Sequence, residues 1–218
     1  MSGKTPDACR EFFMFKDVSL ADFVEKTSSS EPSPGGGSVA ALTLANGAAL
    51  AAMQCNLTVG KKGYEDVWDK ASEIASKCEK NSREFLDFID RDCEAFDAFM
   101  AALKMPKDTE EQVEARKKAM AIATERATLV PLELAQKGEK LFDSAFFALE
   151  KGNKTAVSDG YMAGMLLSTG VKSALLNVKI NLPMLKNAAL FESVDKEVKR
   201  LEKSADEFLT QISKKVEL

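Results

Sequence analysis

A run of three glycines marks the stretch of sequence best suited to hold a ligand. Gly35, Gly36 and Gly37 precede Ser38, and residues 39–59 then carry no charge. Glycine lets the main chain approach a ligand closely, and the free N–H groups at a helix start attract an anion or a carbonyl oxygen. We therefore predict that a helix starts at Ser38, which serves as its N-cap. A flexible loop before an ordinary core helix is the simpler alternative.

An aspartate lies within the apolar stripe of the next predicted helix, over residues 64–105. At about 100° per residue, Asp92 falls inside the stripe, Asp97 falls at its margin and Asp90 faces away. A buried carboxylate is costly unless it is paired or hydrogen-bonded, so Asp92 is a candidate for function. A structural aspartate that pairs with a lysine or caps a neighbouring helix is the alternative. The apolar residues recur at helical spacing and are Val67, Ala71, Ile74, Cys78, Phe85, Ile89, Phe96, Met100 and Leu103.

The two helices should bring these features to the same end of the molecule. They are predicted to double back at Lys61-Lys62-Gly63, because basic residues suit a helix end and glycine suits the exit. At about 1.5 Å per residue, Ser38 lies roughly 36 Å and Asp92 roughly 43 Å from that turn. We therefore expect a site where Asp92 and the glycines meet.

The composition limits the chemistry available to such a site. The chain has no histidine, which excludes histidine-dependent triads and histidine-ligated metal sites. Carboxylates, lysine, tyrosine, cysteine or water would have to move protons. We expect no metal and no cofactor.

The cysteines and the net charge indicate a cytoplasmic protein that does not bind nucleic acid. No C-x-x-C pair and no signal peptide are apparent, and the net charge is −4. We expect reduced thiols at the four cysteines, which are Cys9, Cys55, Cys78 and Cys93.

The uncharged segment 39–59 is long enough to span a membrane, but its composition argues against that. It is rich in alanine and glycine and contains Asn46, Gln54 and Asn56. A buried helix that packs closely against its neighbours fits better.

The whole chain of 218 residues reads as helical. Alanine, lysine, glutamate and leucine are abundant, and no strand pattern appears. We predict an all-α, antiparallel up-and-down bundle of long helices, forming one domain over residues 1–218. Beyond the two helices above, the predicted segments are 20–26 with Ser19 as cap, a helix from Thr109 to 150 that Pro131 kinks or splits, 157–182, and 190–215.

The predicted helix 157–182 carries polar residues on a face of small ones. Asp159, Asn177 and Asn181 lie close to the face of Ala163, Gly170 and Ala174. Small residues allow close approach, so this helix and 38–60 suggest either a tight internal pair or a dimer interface. The alternatives are a polar pair satisfied within the core for the two asparagines, and helix capping for Asp159.

The segment 34–41 resembles the signature of the cyclodeaminase/cyclohydrolase family. That family includes the cyclodeaminase half of formiminotransferase-cyclodeaminase and stand-alone methenyltetrahydrofolate cyclohydrolases. Further matches follow in order over about residues 18–185, and they are Leu57-Thr58-x-Gly60-Lys61-Lys62, Asp90-x-Asp92-x-x-Ala95-Phe96, Pro106-Lys107, Val130-Pro131-Leu132, Gly152-Asn153 with Ser158-Asp159, and Asn177-Val178-x-Ile180-Asn181-Leu182.

The resemblance implies an all-α homodimer that acts on a folate. All 218 residues are taken up by the cyclodeaminase-like domain, so a stand-alone cyclohydrolase is favoured. Hydrolysis of the cationic methenyl bridge needs a base for the attacking water. Without histidine, Asp92 is the first candidate for that base and Asp159 the second.

The same resemblance gives expectations for substrate binding. The loop Gly35, Gly36, Gly37 and Ser38 would hold the pterin or the formyl oxygen through backbone N–H groups, and Asn177 or Asn181 would donate to the same region. Partners for the anionic glutamate tail would come from lysines, most of which we expect to be simply solvated. The candidates are Lys61, Lys62, Lys104, Lys107 and Lys154.

Lys61 is too far from Ser38 to share a reacting atom within one subunit, so it would bind a long tail or complete a site in a second subunit.

Two other functions stay open from the sequence. Formiminotetrahydrofolate cyclodeaminase would need both an acid for ammonia and a base. A non-catalytic bundle that binds folate or a partner helix is the third hypothesis.

Overall fold

The structure, a computed structural model, describes residues 14–215. No β-strand occurs within that range, so the predicted all-α class is confirmed. Cys9 lies outside the described residues. The α-helices are α1 (Leu20–Thr27), α2 (Gly36–Asn56), α3 (Trp68–Leu103), α4 (Glu110–Glu139), α5 (Phe142–Lys151), α6 (Val157–Asn181) and α7 (Ala188–Ser213).

Side chains cap several of these helices at their first turn. The Ser19 hydroxyl accepts a hydrogen bond from the Asp22 N–H at the start of α1, as predicted. Thr109 and Gln112 form a capping box at the start of α4. These local signals fix where α1 and α4 begin.

The predicted N-cap of α2 is wrong. The helix begins at Gly36 with Gly35 as its N-cap, and no side chain of the cap residue bonds the first turn. Ser38 is therefore the third helical residue, and it is fully buried. Its hydroxyl is turned toward α3, where it lies 3.3 Å from the Ile89 carbonyl oxygen.

Helix α2 packs against α3 and packs tightly against α6. Helices α2 and α6 are antiparallel, because Gly47 of α2 faces Ala163 and Leu167, whereas Gly170 of α6 faces Leu44. A β-carbon on Gly47 would lie 3.0 Å from the Leu167 amide nitrogen. The predicted close internal pairing of the two small-residue helices is thus confirmed.

Helix α3 returns beside α2 and then extends past it. The turn uses Gly60 at φ +75° and Gly63 at φ +90°, conformations that favour glycine. Helix α3 then pairs with α4 through the ion pairs Arg91–Glu133 and Glu94–Arg126. The turn lies where it was predicted, but α2 ends at Asn56 and α3 begins only at Trp68.

The predicted split at Pro131 does not occur. Helix α4 runs through Pro131 and ends at Glu139, and α5 begins three residues later. Proline has no N–H, so the Ala127 carbonyl one turn earlier loses its helical donor. The Asn181 amide of α6 donates to that carbonyl at 2.9 Å. A side chain from another helix therefore satisfies the group that proline leaves unpaired.

Among the described residues, α2 is the one helix whose length and composition would allow it to cross a membrane. Of its most apolar stretch, 56% is buried inside the fold. Such burial is also found in the core helix of a globular bundle.

Candidate active site

The Asp92 carboxyl group rests directly on the backbone of Gly37. A β-carbon placed on Gly37 would overlap Asp92 Oδ1 and would lie 2.5 Å from Asp92 Cγ. Only glycine allows this approach, and the predicted meeting of Asp92 with the triple-glycine segment is confirmed.

Asp92 also closes the first turn of α2 from the neighbouring helix. The Ser38 hydroxyl donates to Asp92 Oδ2 at 3.0 Å, and the Ser38 backbone N–H also donates to the carboxyl group. A helix start has free N–H groups that need acceptors, so α2 needs no N-cap side chain of its own. Asp92 therefore caps a neighbouring helix, which was the structural alternative for this residue, and it also lies over the glycines.

The electrostatic surroundings of Asp92 favour its neutral form. Burial raises the pKa of Asp92, and the two hydrogen bonds from Ser38 lower it only in part. Within residues 14–215 no lysine or arginine forms an ion pair with Asp92, since the nearby Arg91 and Arg126 bind Glu133 and Glu94. An unpaired carboxylate with a raised pKa can take a proton from water.

Asn177 lies at the edge of this site. A β-carbon on Gly36 would lie 3.8 Å from both amide atoms of Asn177, and Gly36 itself is exposed. The Asn177 Nδ2 donates to the Ser173 carbonyl of its own helix at 3.0 Å. The exposed Gly36 backbone and this amide therefore lie side by side, next to the contact of Asp92 with Gly37.

The amide nitrogen of Asn181 is already engaged within the fold. This atom, Nδ2, donates a hydrogen bond to the Ala127 carbonyl of α4. This agrees with the alternative of a polar group satisfied within the core. Asn181 therefore ties the end of α6 to α4, one helical turn beyond Asn177.

Asp159 and Lys61 lie at the opposite end of the bundle. A β-carbon on Gly160, next to Asp159, would overlap Gln54 Oε1, and Gln54 is about 26 Å from Gly37 along α2. The Lys61 ammonium donates to Asn153 Oδ1 at 2.7 Å. Asp92 and Asp159 therefore cannot act on one atom within one subunit, and the same holds for Lys61.

The other predicted tail-binding lysines lie on the surface. Lys62, Lys104, Lys107 and Lys154 are exposed. In the part of the chain that the structure describes, no three histidine, cysteine, aspartate or glutamate side chains are placed to hold a metal ion.

Sequence reasoning missed two residues next to Asp92. Asp90 was expected to face away, but it is buried and accepts the Phe15 N–H at 2.6 Å. Cys93 Sγ lies 3.5 Å from the Ser38 hydroxyl. Helix α3 packs against α2 on one side and against residues 15–17 on another, so its buried sector is wide. Adjacent Phe88 and Ile89, both buried, were the signal for that width.

Substitution of Gly37 should be costly, whereas substitution of Gly36 should not. Gly37→Ala forces the Asp92 carboxyl group to move, so we expect a loss of roughly 1–3 kcal/mol in the free energy of unfolding. Gly36→Ala has room for its β-carbon and should be neutral or stabilising by about 0.4–1 kcal/mol. Chemical denaturation of the two variants checks this. Equal stability of Gly37→Ala and the wild type would show that the carboxyl group does not rest on that backbone.

Comparison with known proteins places this site in a family context. The family model described as formiminotransferase-cyclodeaminase matches residues 19–200. The chain is 38% identical over 188 residues to the methenyltetrahydrofolate cyclohydrolase of Methylorubrum extorquens, covering 86% of this chain and 90% of that protein. It is 35% identical over 166 residues to the formimidoyltransferase-cyclodeaminase of Rattus norvegicus, covering 76% of this chain but 31% of the rat protein.

A solved structure shares the fold. The crystal structure of formiminotetrahydrofolate cyclodeaminase from Thermotoga maritima superimposes with a TM-score of 0.70 at 28% identity, covering 92% of this chain and 96% of that one. The helical architecture, the family model and the two relatives agree, and the chain belongs to the formiminotransferase-cyclodeaminase family.

Proposed function

We propose that this protein hydrolyses 5,10-methenyltetrahydrofolate to 10-formyltetrahydrofolate. The observation that carries the proposal is the unpaired Asp92 carboxylate, held over Gly37 with a raised pKa. The length of the match supports it, because the chain spans 90% of a stand-alone cyclohydrolase and 31% of a bifunctional relative.

The reaction needs one base and a place for a cation. Asp92 takes a proton from water as the water oxygen bonds to the bridging carbon. The bond from that carbon to N5 then breaks, its electron pair stays on N5, and N5 takes the second proton of the water. One proton is released overall, and Asp92 passes it to solvent. The Asp92 carboxylate also stabilises the cationic bridge before attack.

The exposed edge of the site would orient the substrate. Gly36 directly precedes Gly37, on which the carboxyl group rests, and the Asn177 amide lies beside Gly36. Polar atoms in this position suit the pterin ring or the formyl oxygen. Ser38 does not bind substrate with its side chain, because its hydroxyl is buried against Asp92.

The cyclodeaminase reaction is the second candidate, and the name of the Thermotoga maritima structure favours it. It releases ammonia and so needs an acid as well as a base. Asp159, the second carboxylate predicted for the site, lies about 26 Å from Gly37 along the bundle. Because a single subunit places one carboxylate over Gly37, it suits the hydrolysis better than the cyclodeaminase reaction.

We further propose that the protein forms a homodimer through the outer faces of α2 and α6. Large apolar side chains on α6 are exposed there: Ile180 by 73%, Leu176 by 65% and Met162 by 52%. Val39 and Met53 of α2, and Leu57 directly after it, are exposed as well. Large apolar side chains exposed on two neighbouring helices support an interface there.

A two-fold axis through this face has a consequence for the site. We place this axis perpendicular to α2 and α6, where it would bring the Lys61 and Asp159 end of one subunit toward the Gly37 and Asp92 end of its partner. Lys61 of the second copy would then be available to the glutamate tail of the folate. The same arrangement would let Asp159 take part in trans.

The function is tested by the loss of methenyltetrahydrofolate absorbance. We expect the wild type to accelerate this loss and Asp92→Asn to reduce kcat by about 10²–10⁴, because the base is removed. Asp97→Asn, an exposed aspartate on the same helix, is the matched control and should keep wild-type turnover. Near-normal turnover of Asp92→Asn would remove Asp92 from the role of base.

Production of methenyltetrahydrofolate and ammonia from the formimino compound would instead support the cyclodeaminase. No response to either substrate would support a non-catalytic bundle.

The dimer is tested by sedimentation of two charge variants. Ile180→Asp places a charge in the proposed interface and should give a monomer at micromolar concentration. Ile122→Asp on α4, where the side chain is 69% exposed, should leave the dimer intact. A monomeric wild type, or a dimer that resists Ile180→Asp and dissociates with Ile122→Asp, would contradict the proposed interface.

A further inference from the structure

The Ser38 hydroxyl has two competing hydrogen-bond acceptors. Its Oγ lies 3.0 Å from Asp92 Oδ2 and 3.3 Å from the Ile89 carbonyl oxygen. A hydroxyl carries one proton and two lone pairs, so Ser38 can donate to only one of these oxygens at a time. The side chain is fully buried, and solvent does not offer a third partner.

The protonation state of Asp92 decides which acceptor is used. An ionised Asp92 needs a donor, and the Ser38 hydroxyl then points at Oδ2. A protonated Asp92 becomes a donor itself. It can donate to the Ser38 oxygen if the Ser38 proton turns to the Ile89 carbonyl, which keeps a lone pair beside its helical hydrogen bond.

We propose that Ser38 is a positioning residue whose hydroxyl turns between Asp92 and the Ile89 carbonyl, so that Asp92 keeps a hydrogen bond in both protonation states. The inference rests on the proposed function, in which Asp92 gains and loses a proton in every turnover. Ser38 keeps its own proton throughout, because the proton on Asp92 comes from the attacking water and leaves to solvent. The heavy atoms need not move, so the carboxyl group stays aligned over Gly37.

Cys93 completes the set of contacts around the hydroxyl. Burial raises the pKa of the Cys93 thiol to about 11, so the thiol stays protonated at neutral pH. Its sulfur lies 3.5 Å from Ser38 Oγ, and a thiol is a weak donor. The thiol can therefore occupy a lone pair of Ser38 while the hydroxyl points at Asp92.

The charged groups around the Asp92 carboxyl group come from α3, α4 and the segment before α1. Helix α2 contributes no charged residue, and α6 presents the neutral Asn177. The ionisable groups on the remaining neighbouring elements are Asp90, Arg91, Cys93, Glu94 and Asp97 on α3, Arg126 and Glu133 on α4, and Lys16 and Asp17 before α1.

The pH dependence of kcat distinguishes this role from simple packing. Activity falls as pH drops through the pKa of Asp92. Ser38→Ala removes the bond between the hydroxyl and Asp92 in both protonation states, and the bond to the ionised carboxylate is the stronger of the two, so the pKa of Asp92 rises and the acid limb should move to higher pH. The plateau of kcat should fall about tenfold, the effect of one lost hydrogen bond to a charged group. An acid limb in Ser38→Ala that coincides with that of the wild type would overturn the inference.

Two further variants and one spectrum keep the test decisive. Ser38→Cys keeps the side-chain size with a weaker donor and should lie between Ser38→Ala and the wild type. Thr43→Val, which removes a hydroxyl that bonds only to its own helix, should leave the acid limb unchanged. Infrared difference spectra of the wild type against Asp92→Asn at acid pH should show the O–H stretch of an acid that donates a hydrogen bond, a readout independent of the Ser38 N–H that the carboxyl group accepts. The stretch of a free acid would overturn the inference even if the serine variants do not fold.

The outcome separates this inference from the proposed function. A wild type that does not hydrolyse methenyltetrahydrofolate, or an Asp92→Asn variant with full turnover, defeats the proposed function. Wild-type hydrolysis that depends on Asp92, combined with an unmoved acid limb in Ser38→Ala, defeats only the role of Ser38.

Discussion

The contact between Asp92 and the start of α2 is the constraint on which the rest of the structure depends. Helix α2 begins at glycines and has no capping side chain, so its first N–H groups need an acceptor from elsewhere. Asp92 on α3 supplies that acceptor and receives the Ser38 hydroxyl in return. The carboxylate has no cation among the described residues, and only this helix start stabilises its charge. One contact thus joins two helices and leaves a carboxyl group with a raised pKa beside exposed backbone.

Packing between α2 and α6 determines which other side chains lie near the contact between Asp92 and the start of α2. Gly47 and Gly170 let the helices approach until side chains touch backbone. The antiparallel register places Asn177 beside Gly36 and carries Asp159 to the far end. The tie between Asn181 and the Ala127 carbonyl holds the end of α6 against α4. The proline in α4 makes this tie available, because it leaves that carbonyl without its helical donor.

Periodicity was sufficient to predict the helices and the meeting of Asp92 with the glycines, because both follow from helical rise and a hairpin turn. The N-cap assignment for Ser38 is wrong because the true acceptor comes from residue 92, which no local pattern reveals. The orientation of Asp90 is wrong because a single apolar stripe assumes a single packing partner, whereas α3 has several. The expected split at Pro131 fails for the same reason, since Asn181 lies fifty residues further along the chain. Contacts that follow from helical rise and a hairpin turn can be read from the sequence, whereas the polar partners that other helices supply cannot.

A crystal structure with a stable analogue of methenyltetrahydrofolate is the most direct test of the account. We predict that the bridging carbon lies close enough to Asp92 for one water molecule to stand between them, with the pterin ring against Gly36 and Asn177. An analogue that binds with its bridging carbon among Lys61, Asn153 and Asp159 of the same subunit, remote from Asp92, would contradict it.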